Sequence, residues 1–167
     1  MTITYKPIAQ EYLSAVKTLN SVIFPVKYHD RVYQDALACG PVSQLAFEGD
    51  TLVGAILCRL EALPGGAAQL YIISLGVLAP VRGAGIGSQL LAASLACCEH
   101  DTAIQRATLH VHTANTEALE FYSRKGFTVT ETIAGYYKRI DPPDAAVLVK
   151  QLQPEEQQQQ AQQQQDA

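Results

Sequence analysis

Apolar side chains recur along this chain at two spacings, every second residue and every third to fourth, and the two patterns alternate. The first predicts strands at residues 3–8, 107–112, 127–133 and 145–152, and a hairpin of 43–48 with 51–60 turning at Gly49-Asp50. The second places Leu13, Val16 and Leu19 on one face of a helix over 10–20. Another helix is expected from Asp30, read as its N-cap, to about residue 38, with Gly40 just beyond. Pro64-Gly65-Gly66 marks the turn into a long strand over Ala68–Val77, and a helical pattern follows from Ser88 to about Glu99. A last helix runs from Thr116 to about Lys125, stopped by Gly126. This alternation predicts one α/β domain over residues 1–152, with a mixed, twisted sheet of about seven strands and helices on both faces.

Composition narrows the picture. The chain has 167 residues, enough for one domain with a sizeable core. Residues 153–167 hold nine glutamines and three acids with almost nothing apolar, so a disordered tail is expected there. No apolar run reaches the roughly 18 residues of a membrane span, and Met1-Thr2-Ile3-Thr4-Tyr5-Lys6 lacks a signal-peptide profile. A soluble, intracellular chain without a membrane partner is the expectation. The net charge of −4 gives no reason to expect direct nucleic-acid binding. Cys39, Cys58, Cys97 and Cys98 form no Cys-x-x-Cys pair, so reduced thiols in or near the core are expected, and no metal site.

The most informative segment is residues 70–87, an apolar strand pattern ending in Arg82-Gly83-Ala84-Gly85-Ile86-Gly87 and leading into a helix. Strand, glycine turn and helix in that order place free backbone N–H groups at a helix N-terminus, a site suited to a pyrophosphate. A P-loop would need Lys-Ser/Thr after the last glycine, but Ser88-Gln89 follows. The Gly-x-Gly-x-x-Gly spacing of dinucleotide folds also fails, because the glycines fall at 83, 85 and 87. Arg-x-x-Gly-x-Gly after Leu-Gly-Val-Leu-Ala-Pro instead resembles the acetyl-CoA motif of the GNAT acetyltransferase superfamily. Asn115, Ala118, Phe121, Tyr122, Gly126 and Phe127 match a second segment of that superfamily, which borders the CoA. The resemblance implies the GNAT fold, in which the central parallel strands Ala68–Val77 and 107–112 splay apart. The pantetheine arm of acetyl-CoA then lies in the gap and bonds the backbone of Leu75 and Val77, on either side of Gly76. Arg82, Gly83, Ala84, Gly85, Ile86, Gly87 and Ser88 would border the pyrophosphate. Asn115, Ala118, Tyr122 and Arg124 would complete the cofactor set.

Further blocks are more specific. Val22-Ile23-Phe24-Pro25-Val26-x-Tyr28, Leu70-Tyr71-Ile72-Ile73-Ser74-Leu75-Gly76, Leu109-His110-Val111 and Tyr136-Tyr137-Lys138-Arg139-Ile140 resemble NatE-type N-alpha-acetyltransferases, over about residues 8–152. That branch acetylates protein N-termini beginning with methionine. By this resemblance Phe24, Pro25, Val26, Tyr28 and Ile73 line a pocket for the first side chain. Tyr136, Tyr137, Lys138, Arg139 and Ile140 wall the peptide groove. Enclosing a methionine is worth roughly 1.5–3 kcal/mol, enough to favour it over small residues. The bland reading, a hydrophobic loop packed on the sheet, stands beside this for Phe24.

The nucleophile would be an amine that must lose a proton. An α-amino group with pKa near 7.8 costs about 1 kcal/mol to deprotonate at pH 7, whereas lysine at about 10.4 costs about 4.6 kcal/mol. A weak base acting through a water suffices for the first. No carboxylate occurs in residues 70–78 or 107–113, where many GNAT enzymes place a glutamate. Alternation puts Tyr71 and His110 on facing positions, leaving them as the base candidates, with His112 of the same parity as a rival. A core tyrosine and a structural histidine are the competing readings. With no cysteine in these segments, direct attack without an acyl-enzyme is expected. Alternative activities are a lysine or small-amine acetyltransferase, or a weakly active acetyl-CoA-binding scaffold. The resemblance further implies association with the large and catalytic subunits of a NatA-type complex on the ribosome, a role in sister-chromatid cohesion, and a cytoplasmic location with the nucleus as a second.

Overall fold

In the computed structural model, residues 1–154 and Gln163 are described. The expected disordered tail lies almost wholly outside the described residues. Among the described residues seven strands, β1 (Ile3–Pro7), β2 (Gln44–Glu48), β3 (Thr51–Ala62), β4 (Ala68–Val77), β5 (Ile104–His112), β6 (Thr128–Ile133) and β7 (Ala145–Gln151), follow the sheet order β1-β2-β3-β4-β5-β7-β6. The β4–β5 ladder is parallel, while β1–β2, β2–β3, β5–β7 and β6–β7 are antiparallel, so the sheet is mixed. Helices α1 (Leu13–Ile23), α2 (Asp30–Ala38), α3 (Ile86–Ala96) and α4 (Thr116–Arg124) join these strands in an α/β architecture. Residue contacts divide the chain into two compact units, Met1–Leu60 with Ile72–Asp101, and Glu61–Tyr71 with Thr102 onward.

In the first unit, Leu45 and Phe47 of β2 and Ala55 and Leu57 of β3 share a core with Leu13, Val16 and Leu19 of α1 and Tyr33 and Ala36 of α2. The opposite face of β3 meets α3. A Cβ at Gly54 would stand 3.2 Å from Leu90 Cδ1 and 3.4 Å from Ile86 Cγ2, so the bare backbone lets the helix approach. The Ser94 hydroxyl on α3 donates to the Val42 carbonyl at 2.6 Å and lies 3.4 Å from Cys58 Sγ. Cys58 and Cys98 are buried, and burial pushes their thiols up to about 12 and about 11. Cys39 is half-buried and Cys97 exposed. Neither buried thiol is poised as a nucleophile.

The second unit is built on the β5–β7–β6 ladders. Its α4 buries Tyr122 edge-on against Phe121 and Phe127. Gly126 takes φ +90 as the chain leaves α4 for β6, and Lys150 Nζ donates to the Lys125 carbonyl at 2.7 Å. Among the described residues no helix is long and apolar enough to cross a membrane.

Several boundaries differ from expectation. The first helix begins as a 3-10 turn at Gln10–Tyr12 and runs on to Ile23. His29, not Asp30, caps α2: its backbone is extended and its Nδ1 accepts the Arg31 N–H at 3.1 Å. Asp30 instead sits in the first turn, where its carboxylate suits the helix dipole and lies 3.3 Å from Lys17 Nζ. Helix α3 starts two residues before Ser88 because buried Ile86 anchors its first turn, and it ends at Ala96 in tighter i to i−3 bonds from Cys97 and Cys98. β5 begins at Ile104 and β6 at Thr128.

Candidate active site

In the first unit, strand β4 alternates buried Ile72, Ser74 and Gly76 with half-buried Ile73, Leu75 and Val77. The Ser74 hydroxyl is buried without a hydrogen-bond partner. Phe24, just past α1, lies over Gly76: a Cβ there would stand 2.9 Å from Phe24 Cζ and 3.1 Å from Ile23 Cδ1. Only glycine admits that ring against the strand backbone. Tyr28 meets Phe24 edge-on, with ring centroids 6.0 Å apart. Pro25 and Val26 are exposed beside them, and Ile73 packs against the α1–α2 core. Thus Phe24 and Tyr28 come together at the end of β4, while Val26 remains 58% exposed.

The turn after β4 exposes Arg82, Gly83, Ala84 and Gly85. Gly83 and Gly85 both take φ +79, a conformation side chains resist, and a Cβ on either would project into open space. Gly85 is the N-cap of α3, and the first helical bond runs from Gln89 N–H to its carbonyl at 3.0 Å. The N–H groups of Ile86, Gly87 and Ser88 therefore precede the helical ladder. Backbone donors at the positive end of a helix, next to an exposed glycine turn, suit a pyrophosphate. Arg82 turns back on its own strand, Nε donating to the Val77 carbonyl at 2.9 Å.

In the second unit, the parallel ladder between β4 and β5 runs from Ala68↔Ile104 to Tyr71↔Thr108. At its end the Tyr71 hydroxyl lies 2.7 Å from His110 Nδ1. Tyr136 stacks on the other side of this chemistry, its ring 4.6 Å from that of His110 and tilted by only 6°. Tyr137 stands edge-on to Tyr136 at 5.0 Å and to His112 at 5.4 Å. Three sequence-distant segments thus form one aromatic array. Burial lowers the His110 pKa below 6.5, and Glu131 and Glu61 oppose that shift. The carboxylates that β4 and β5 lack in sequence act on His110 from β6 and β3. Register could have found one of them: Glu131 pairs with Val147, and Val147 with His110.

Burial pushes the Tyr137 phenol up, with the Tyr136 phenol adding to it. Lys138, Arg139 and Ile140 are exposed on the same loop. His112 is not in the Tyr71–His110 pair: its Nε2 bonds the Pro142 carbonyl. On α4, Asn115 is the N-cap, its Oδ1 accepting the Ala118 N–H at 3.1 Å, which leaves its amide NH2 for other partners. Arg124 is exposed in the last turn, where a cation suits the helix dipole. Beside Tyr71, sequence reading missed a chain of polar groups in which Arg106 Nε donates to Gln69 Oε1 at 2.8 Å and Gln69 Nε2 to Glu61 Oε1 at 2.9 Å. Among the described residues no group of three or more His, Cys, Asp or Glu could hold a metal ion.

An imidazole of lowered pKa bonded to a phenol is neutral near pH 7 and can accept a proton, and backbone donors at a helix N-terminus can hold the phosphates of a nucleotide. The chain is similar to known proteins. The acetyltransferase (GNAT) family matches residues 9–127. N-alpha-acetyltransferase 50 of Danio rerio is 44% identical over 141 residues, covering 84% of this chain and 83% of the relative. The probable N-acetyltransferase san of Drosophila melanogaster is 40% identical over 141 residues, covering 84% and 76%. The solved structure of Arabidopsis thaliana Naa50 in complex with the bisubstrate analogue CoA-Ac-MVNAL superposes with a TM-score of 0.84 at 44% identity, covering 90% of this chain and 99% of that one.

Proposed function

Because this chain belongs to the GNAT acetyltransferase family and is an acetyl-CoA-dependent N-alpha-acetyltransferase, we propose that its substrates are protein N-termini beginning with methionine followed by a hydrophobic or other non-small residue. The observation that carries this reading is the hydrogen-bonded Tyr71–His110 pair. It is a base of modest strength, suited to an α-amine near pKa 7.8 and poorly suited to lysine. The Met-Val peptide in the bisubstrate complex of the Arabidopsis relative supports the choice of first residue. Phe24 and Tyr28, with Pro25, Val26 and Ile73, supply the apolar pocket for methionine. Tyr136, Tyr137, Lys138, Arg139 and Ile140 hold the peptide that follows.

Each residue has a separate task. The backbone N–H groups from Gly83 to Ser88, with Arg82 and Ala84 at the turn, bind the pyrophosphate of acetyl-CoA. The backbone of Leu75, Gly76 and Val77 aligns the pantetheine arm, and an N–H near Leu75 polarises the acetyl carbonyl. Asn115, Ala118, Tyr122 and Arg124 serve the cofactor from α4. With the Nδ1–H of His110 donated to the Tyr71 oxygen, the Nε2 lone pair is free to take the amine proton through a water. The amine nitrogen then bonds the acetyl carbon, the C–S bond breaks, and CoA leaves with the electron pair and is protonated. Tyr71 orients the imidazole and the water. We further propose that the chain works in the cytoplasm, with the nucleus as a second location. There it joins the large and catalytic subunits of a NatA-type complex at the ribosome and contributes to sister-chromatid cohesion.

Incubation with acetyl-CoA and peptides beginning Met-Leu, Met-Lys, Ser-Glu, or N-blocked Lys, followed by mass spectrometry, tests the substrate reading. Acetyl on the α-amine of the Met peptides is expected. Modification of the blocked lysine peptide alone sinks it.

A further inference from the structure

The loop between β6 and β7, residues 134–144, carries Tyr136 and Tyr137 yet has no regular secondary structure. Its shape is held by a few bonds. Gly135 N–H donates to Asp144 Oδ1 at 3.0 Å, Tyr137 N–H to the Pro143 carbonyl at 2.8 Å, and Thr113 N–H to the Asp144 carbonyl at 3.1 Å. His112 is the β5 side chain that grips this loop in two places. Its Nε2 donates to the Pro142 carbonyl on the returning limb, and its ring meets Tyr137 edge-on at 5.4 Å on the outgoing limb. Tyr137 in turn abuts Tyr136, which stacks on His110 two residues before His112.

We infer that His112 is a positioning residue, a clasp that fixes the Tyr136–Tyr137 loop over His110 so that the peptide groove is preformed. An irregular loop loses backbone entropy for each residue it orders. A clasp between two limbs removes that cost from the substrate, which otherwise meets it on binding. Pairing with Pro142 spends the Nε2–H of His112 on the loop, while the Tyr71 hydroxyl pairs with His110. The groove-forming consequence rests on the N-terminal acetyltransferase reading; the clasp itself does not.

The test compares His112→Ala, His112→Phe and His112→Gln in the full chain. Phenylalanine keeps the packing on Tyr137 without an N–H, and glutamine keeps a donor of similar reach. One readout needs no activity: Lys138 and Arg139 are exposed in the loop, so the rate of tryptic cleavage after them reports how firmly it is held. The alanine and phenylalanine variants should be cut at least about threefold faster, and the glutamine variant at a rate near that of the parent. With a Met-Leu peptide, the first two should raise peptide KM about fivefold or more with kcat within about twofold and acetyl-CoA KM unchanged. Equal cleavage rates in all chains overturn the clasp. A fall in kcat with a displaced pH profile and unchanged KM overturns it in favour of a base. If the parent chain does not acetylate the Met-Leu peptide, the substrate reading falls while the cleavage comparison still decides the clasp.

Discussion

The glycine turn after β4 and the aromatic array on β5 are built in opposite ways. The turn presents backbone: Gly83 and Gly85 are held at φ +79, and the N–H groups of Ile86, Gly87 and Ser88 at the start of α3 precede the helical ladder. The array presents side chains from three separated places, Tyr71, His110 and the Tyr136–Tyr137 pair. A backbone site tolerates changes of side chain but not of dihedral angle. A side-chain site tolerates neither loss of a functional group nor slack in the loop that brings it there.

The largest effect should come from forcing the turn. Gly85→Val places a β-branched residue at φ +79 at the α3 N-cap and should weaken acetyl-CoA binding about tenfold or more by calorimetry. An unchanged affinity would mean that the cradle does not depend on its backbone angles. Next, His110→Ala and Tyr71→Phe should each lower kcat about tenfold or more while acetyl-CoA affinity persists. Because the two groups share one hydrogen bond, the double variant should lose little more than the worse single one. Full additivity in that cycle would separate them into independent roles.

The smallest effect is the pH dependence. Burial lowers the His110 pKa, so its imidazole stays neutral to more acidic pH than a free histidine. The acid limb of kcat/KM should therefore show an enzyme step below pH 6.5, in addition to the peptide amine step at about 7.8. The lower step should vanish in His110→Gln. A lower step that survives in that variant assigns it to another group. The same shift acts on folding: below pH 6.5 the unfolded chain binds this proton more readily than the folded one, so His110 makes stability fall as pH falls through that range.

Legibility followed the same division. Arg82-Gly83-Ala84-Gly85-Ile86-Gly87 could be read directly, since glycine spacing, strand and helix are neighbours in sequence and the dihedral requirement is local. Strand alternation was also enough to set Tyr71 and His110 on compatible positions. It could not say that Glu61 and Glu131 act on His110, because register two strands away is fixed by pairing rather than by spacing. Nor did it separate His112 from His110, which share parity and differ in their partners, a phenol for one and a loop carbonyl for the other. The His29 cap was missed for a similar reason: Asp30 is the commoner capping residue, but the extended backbone falls one position earlier.

What the sequence determined by itself was the order of strands and helices, the glycine turn at the start of α3 and the family, all of which rest on short-range periodicity and fixed local spacing. Only the tertiary structure decided the placement of Phe24 over Gly76, the Tyr71–His110 bond, and the loop that lays Tyr136 on the imidazole. Those contacts join segments tens of residues apart. Packing and strand register set their distances to within an ångström, whereas local propensity carries no information about either.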